Sequence, residues 1–296
     1  MKNLLLILCL TILTFSCQKK QEEVKEEPAE ASPAFEAQRN TFFSNLKAPA
    51  EVAAQLQATA AEFNASLLSD PKNYGSYAND HVKAAANLGI YLSDLNYSVA
   101  YKQSANTKEL FMAAHELSKA IGIEQGILDF LMKRFNDNIN QNDSAKAVLN
   151  ELFEKSTINL QGTDREKLVG ITMSAYQIEN LHLALGVIES YPKDMLPTDT
   201  RTQILIPIFR MVLEQKQNVE NIYGFLKSVT DPTNPDKNPN YAYYANAFEE
   251  LIGVYNRLNV DEKIANNQGI ELMNDAVVKE LGEKVNAIRS KIVSVQ

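Results

Sequence analysis

From Phe35 to the C-terminus, apolar residues recur at intervals of three and four, the repeat of helices with a buried face. Val52, Leu56, Ala60, Phe63 and Leu67 mark the first stripe, after Pro49. Asp70-Pro71-Lys72-Asn73-Tyr74-Gly75 interrupts it with turn-forming residues. Val82, Ala85, Leu88, Leu92, Leu95 and Val99 then predict a long helix. Thr107 is placed to cap a helix through Leu110, Ala114, Leu117 and Ile121, which Gly122 ends as a C′ glycine. Ile127, Leu128, Leu131, Met132 and Phe135 predict another helix, and the stretch from Asn136 to Asn142 a turn. Asp143 or Ser144 caps the helix that carries Val148, Leu152 and Phe153.

The second half continues the pattern. Thr163-Asp164-Arg165-Glu166 fits a capping box with Thr163 at N-cap and Glu166 at N3. It opens a long helix through Leu168, Ile171, Ala175, Ile178, Leu181, Leu185 and Ile188, which Tyr191-Pro192 stops. A helix starting near Pro197-Thr198-Asp199 contains Pro207, where a kink is expected because proline lacks the amide donor and crowds the preceding turn. Asn218 is placed to cap a helix through Ile222, Phe225, Leu226 and Val229. A Pro-rich loop, Asp231 to Asn240, precedes two closing helices around Tyr243–Leu258 and Ile270–Val295. No two-residue alternation persists. The pattern predicts an all-α chain, a multi-helix bundle or irregular helical array of about ten helices without a sheet. No motif returns at a period of about 34 residues, so a helical repeat lacks consensus support. The Pro-rich loop is too short to prove a boundary, and fused bundles remain compatible with the pattern.

The N-terminus departs from this rhythm. Lys2 precedes an apolar run, Leu4 to Phe15, broken only by threonines. Spanning a bilayer takes roughly 20 apolar residues, so the run has the length of a signal peptide. Ser16-Cys17 closes it and resembles a bacterial lipoprotein cleavage site. At that site the cysteine thiol takes a lipid such as palmitate. Thr14 stands where the common box has Leu, as in the looser boxes of Bacteroidetes lipoproteins. Residues 1–16 are therefore expected to be a leader. Residues 17–34 are read as a lipidated cysteine with a disordered acidic tether, and 35–296 as one helical domain. Between Gln18 and Pro33 there are five Glu against three Lys and almost no apolar surface to offset ordering. The Cys-Gln-Lys start followed by acids resembles a surface-export tag, so the cell surface is favoured over the periplasmic face of the outer membrane.

The full chain of 296 residues carries 29 basic and 37 acidic residues, a net charge of −8. A nucleic-acid binder needs a basic surface, so that class is excluded. Loss of the leader removes Lys2 and Cys9, leaving 28 basic against 37 acidic residues, a net of −9. Lipidation consumes Cys17, the second of two cysteines, so no thiol is left for disulfides, zinc or catalysis.

Candidate chemistry sits on the two longest helices. Asn87, Tyr91, Asp94, Ser98 and Tyr101 share one face at spacings of three and four. Tyr176, Glu179 and His182 share another. Where such faces meet, Asn87, Tyr91, Asp94, Tyr176, Glu179 and His182 are expected to form a buried polar network. Glu179-Asn180-Leu181-His182 is half of a di-iron signature. Ala78 and Met112 stand three residues before His81 and His115, so the second half is missing. Lys119 breaks a His-Glu-x-x-His match at His115. Phosphate loops and nucleophile elbows are absent from the sequence. No metal, cofactor or catalytic residue is expected. Tyr241, Tyr243, Tyr244, Phe248 and Tyr255 are read as core before sugar or peptide platform.

The run Asn-Leu-Gly-Ile-Tyr-x-x-Asp-Leu-x-Tyr at 87–97, with Lys119-Ala120-Ile121-Gly122-Ile123, resembles a family of all-helical Bacteroidetes lipoproteins. Tyr176-Gln177-Ile178-Glu179-Asn180-Leu181-His182 and Glu214-Gln215-Lys216 resemble its second half, so the likeness covers roughly residues 50–295. That family commonly has Trp and Gly near the position of Glu179 and Tyr at the position of His182; this chain has no Trp. The resemblance implies a fold and an address, and no activity. The leading expectation is an outer-membrane lipoprotein, held by its N-terminal lipid, that is not an enzyme. It would bind a small molecule or protein or act as an envelope scaffold. Two alternatives are a metal-dependent or acid/base enzyme using Asp94, Glu179 and His182 in an open cavity, and a peptide-binding helical repeat with a groove lined by Tyr and Asn.

Overall fold

A computed structural model of the chain describes residues 37, 40–42, 50–59, 61–138, 142–158, 160, 165–191, 198–230, 239–258, 260–266, 268, 271 and 275–295. Residues 1–34, where the leader, Cys17 and the acidic tether are expected, lie outside the described residues, as do Thr163 and most of the Pro-rich loop. Among those described, the regular structure is helical, with no strand. The α-helices are α1 (Ala50–Ala58), α2 (Tyr74–Tyr77), α3 (His81–Ala100), α4 (Ser104–Ala120), α5 (Gln125–Asn138) and α6 (Asn142–Ile158). They continue with α7 (Glu166–Ser190), α8 (Thr198–Glu214), α9 (Lys216–Val229), α10 (Pro239–Arg257), α11 (Val260–Ala265) and α12 (Ala276–Ile292).

The central pair is α3 and α7. Every residue of α3 from Ala84 to Ala100 is buried, and α7 is buried almost continuously from Glu166 to Val187. Helices covered all round by neighbours keep no polar face, which is why Ser, Thr and Asn are the usual breaks in these two sequences. The pair approaches closely at Gly89, where an added Cβ would stand 2.1 Å from the Thr172 carbonyl oxygen and 2.8 Å from the Tyr176 amide nitrogen. Four residues on, Ser93 Oγ donates to Asn180 Oδ1 across the same seam at 2.8 Å. The remaining helices pack around this axis: α4 and α6 against α3, α9 and α12 against α7, and α10 against α9 and α12. One apolar cluster runs from Phe42 to Ile292. Phe42 stacks on Phe225 at 4.3 Å and Phe111 on Phe135 at 3.9 Å.

Gly122 acts as the sequence predicts, and two aspartates that the sequence reading did not single out act as caps. Gly122 adopts φ 97°, with its amide donating to Lys119 O and that of Ile123 to Ser118 O, a Schellman termination of α4. Asp80 caps α3 by accepting from the Val82 and Lys83 amides at 2.8 and 3.0 Å. Asp275 caps α12 through the Val277 amide at 2.8 Å. Helix α8 contains Pro207 within its span, where the sequence placed it.

Other expectations are corrected. The stripe from Val52 to Leu67 is not one helix, because α1 ends at Ala58 and Thr59 Oγ1 turns back onto Leu56 O at 2.6 Å. Residues 61–73 then form an irregular strap containing two 3-10 turns, Ala65–Leu67 and Pro71–Asn73. Thr107 does not cap α4; it lies inside the first turn, and its hydroxyl donates to Gln103 O at 2.8 Å. Glu166 is the first helical residue of α7 and not the third, with Arg165 directly before the helix; Thr163, read as the cap, lies outside the described residues. Asn218 likewise lies within α9, donating to Gln215 Oε1 at 2.8 Å.

Candidate functional site

The polar face of α3 meets the strap and the C-terminal helix. Asn87, 1% exposed, donates through Nδ2 to Lys83 O at 3.0 Å and to Ile292 O at 3.1 Å. Tyr91 Oη donates to Asp70 O at 3.0 Å. Tyr97 Oη accepts from the Asn64 amide at 3.0 Å. Asp94 Oδ2 accepts from the Ser69 amide at 2.9 Å. Tyr97 and Asp94 thus supply acceptors to the Asn64 and Ser69 amides, which lie in irregular backbone, and such partners are the requirement for burying that segment.

From α7, Glu179 projects into the same place. Asp94 and Glu179 are both 0% exposed, and their carboxyl groups lie within hydrogen-bonding reach of each other. Arg289 of α12 closes the cluster. Its Nε donates to Glu179 Oε2 at 2.6 Å and its Nη2 to Glu179 Oε1 at 2.9 Å, a two-pronged guanidinium–carboxylate pair. The same Nη2 donates to Leu67 O at 3.1 Å and Ser69 Oγ at 2.8 Å. Burial, then the negative Glu179, push the Asp94 carboxyl well above the usual carboxylate range; the Ser69 amide and Arg289 oppose the shift. Burial also raises Tyr91, with Tyr77, Asp94 and Asp70 adding to it, so the phenol is neutral.

Four of the six expected residues thus join one cluster or its border: Asn87, Tyr91, Asp94 and Glu179. Tyr176 is buried nearby in sequence but packs its ring 5.8 Å from that of Phe153. His182 points elsewhere, with Nδ1 2.9 Å from Asn286 Oδ1. Helical geometry explains the parting: positions three apart on a helix are about 60° apart in angle, enough to send Glu179 inward and His182 toward the rim of α12. Among the described residues, no group of three or more His, Cys, Asp or Glu side chains is placed to hold a metal ion.

The sequence reading missed Arg289 and Ser69. Arg289 sits beside Ile288 in the stripe Val278, Leu281, Val285, Ile288 and Ile292. A charge at the edge of an apolar stripe is the signal that was there to be read. Ser69 carried no such signal, because an amide and a single hydroxyl in an irregular segment leave no pattern in the sequence.

The aromatic segment is core, as expected for Tyr244, Phe248 and Tyr255, with Tyr255 Oη donating to Val212 O at 2.9 Å. Tyr241 and Tyr243 are half-buried against the core, and Lys291 Nζ lies over one face of the Tyr243 ring, 3.5 Å from its centre. A cleft of about 340 Å³ opens between α1 and α8, lined among others by Gln55, Thr59, Pro207, Arg210 and Glu214. It carries neither Tyr nor Asn, unlike the groove of the helical-repeat alternative. Comparison with protein-family models, curated proteins and solved structures found no match to this chain.

Proposed function

We propose that the chain is a lipoprotein held on the outer membrane by Cys17, whose helical domain serves as a binding or scaffolding module and not as an enzyme. The observation that carries the anchor is Ser16-Cys17 directly after the apolar run Leu4–Phe15, with a charged spacer behind it. Among the described residues no helix is long and apolar enough to cross a membrane, so on this reading attachment falls to the lipid. Burial of the most reactive cluster supports the non-enzymatic half. Asp94 and Glu179 are 0% exposed, and Glu179 is clamped by Arg289, so a substrate has no path to either carboxyl in this conformation. The acid/base alternative required these groups in an open cavity together with His182, which instead bonds Asn286.

The test is expression of the full chain in a Gram-negative host fed radiolabelled palmitate. Label and membrane fractionation are expected for the wild type and lost in Cys17→Ala. Continued labelling and membrane association of Cys17→Ala would sink the proposal. Protease treatment of intact cells, expected to digest the domain, decides between the surface and the periplasmic face.

A further inference from the structure

The cluster of Asp94, Glu179 and Arg289 closes only if it contains one more hydrogen. Both Glu179 oxygens accept from Arg289, so Glu179 is the anion of the pair. Asp94 Oδ2 accepts from the Ser69 amide, and Asp94 Oδ1 is buried with no donor in reach. Its neighbour is the Glu179 carboxylate, and two ionised carboxylates offer each other only acceptors. Arg289 brings a single positive charge. The other titratable groups facing the pair add none: Tyr91 and Tyr97 on α3 and Tyr77 on α2 are neutral phenols, and Asp70 on the strap is acidic. A second buried anion would lack a counter-charge.

We infer that Asp94 keeps its proton in the folded protein and donates it to Glu179, and that this proton latches the strap at 67–70 and α12 to the α3–α7 pair. The latch lies at a three-way junction. Asp94 holds the Ser69 amide, while Arg289 holds Ser69 Oγ and Leu67 O together with Glu179. Loss of the proton leaves two anions facing one guanidinium in a site without bulk water. The seam between α3 and α7 must then part or hydrate, and the strap loosens with it. This inference does not depend on lipid anchoring and stands or falls separately.

Infrared spectroscopy of the full chain at neutral pH tests the protonation state. The carbonyl band of a protonated carboxylic acid is expected, moved by 13C-aspartate labelling and absent in Asp94→Asn. A spectrum with carboxylate bands alone overturns the assignment, as does a band moved only by labelled glutamate. The isotope arm needs no mutation and holds whether or not Asp94→Asn folds. Hydrogen exchange tests the latch. After correction for intrinsic rates, the Ser69 amide of the wild type is expected to lose at least tenfold in protection as pH rises into the alkaline range. Protection that stays constant overturns the latch.

Discussion

At the scale of single residues, the sign of the pH dependence follows from Asp94. Its folded pKa lies above that of the unfolded chain, so the folded state binds the extra proton. The contribution is fully present below the unfolded value of about 3.9 and is lost as pH rises toward the folded value. Within that window the slope for one group is about 1.4 kcal/mol per pH unit. Asp94→Asn keeps the shape, offers Nδ2 to Glu179 and Oδ1 to the Ser69 amide, and cannot ionise. Its stability relative to the wild type is therefore expected to climb with pH, measured by denaturant unfolding at pH 5, 7 and 9. A constant difference would contradict a protonated Asp94. Arg289 acts the other way. Arg289→Met leaves Glu179 buried without its counter-ion, and breaking such a pair costs roughly 3–5 kcal/mol. The double variant Glu179→Gln/Arg289→Met removes both charges and is expected to recover part of that loss. Asp94 and Glu179 were legible in the sequence because acids at helical spacing on apolar helices must find partners. Arg289 carried a signal as a charge beside an apolar stripe, but its pairing with Glu179 was not legible, since 110 residues separate the two and nothing local ties them.

At the scale of elements, close helix approach and helix propensity pull glycine in opposite directions. Gly89 sits where α3 touches the backbone of α7, so Gly89→Ala sets a methyl group against the Thr172 carbonyl. Overpacking costs about 1–3 kcal/mol when side chains can yield, and here the obstacle is backbone, so a loss at or above that range is expected. Gly253 lies exposed within α10 with nothing within 4 Å of an added Cβ. Gly253→Ala is expected to gain about 0.5–1 kcal/mol from helix propensity alone. Thermal unfolding of the two variants should shift in opposite directions. A Gly89→Ala protein as stable as wild type would mean the α3–α7 seam is looser than the structure has it. The long helices were readable because their own residues carry the period that buries them. Capping was less so: Asp80 and Asp275, not singled out in the sequence, act as caps, while Thr107 and Asn218, read as caps, fall inside their helices. A cap is decided by where tertiary packing stops the helix, and several polar residues near a helix start can compete for it. In the strap at 61–73 only the turn at Asp70–Asn73 was readable, and the rest was not, for a stronger reason. Besides its local turns, its backbone is held by Tyr91, Asp94, Tyr97 and Arg289, all supplied by other elements.

At the scale of the whole molecule, the C-terminal helix is the piece that makes the others mutually dependent. The apolar cluster from Phe42 to Ile292 lacks covalent staples, because the chain has only Cys9 and Cys17. Cohesion must come from burial and from the few bonds that join distant segments. Three of these bonds end on the last helix and its exit: Arg289 on Glu179, Asn87 on Ile292 O, and Tyr77 Oη on Val293 O at 2.9 Å. Deleting residues 276–296 therefore removes more than one apolar stripe. It leaves a buried anion on α7, an amide on α3 with one of its two bonds lost and a phenol on α2 without its Val293 acceptor, each costly in a low-dielectric interior. The truncated chain is expected to keep helical far-ultraviolet dichroism but lose the near-ultraviolet signal of its packed tyrosines and its cooperative melt. Those are the marks of a collapsed state without fixed packing. Reductant should leave the full chain's melting temperature unchanged, since no disulfide contributes to it. A truncated protein with native near-ultraviolet dichroism and a sharp transition would show that α12 is an appendage, and that the α3–α7 pair satisfies its buried groups by itself.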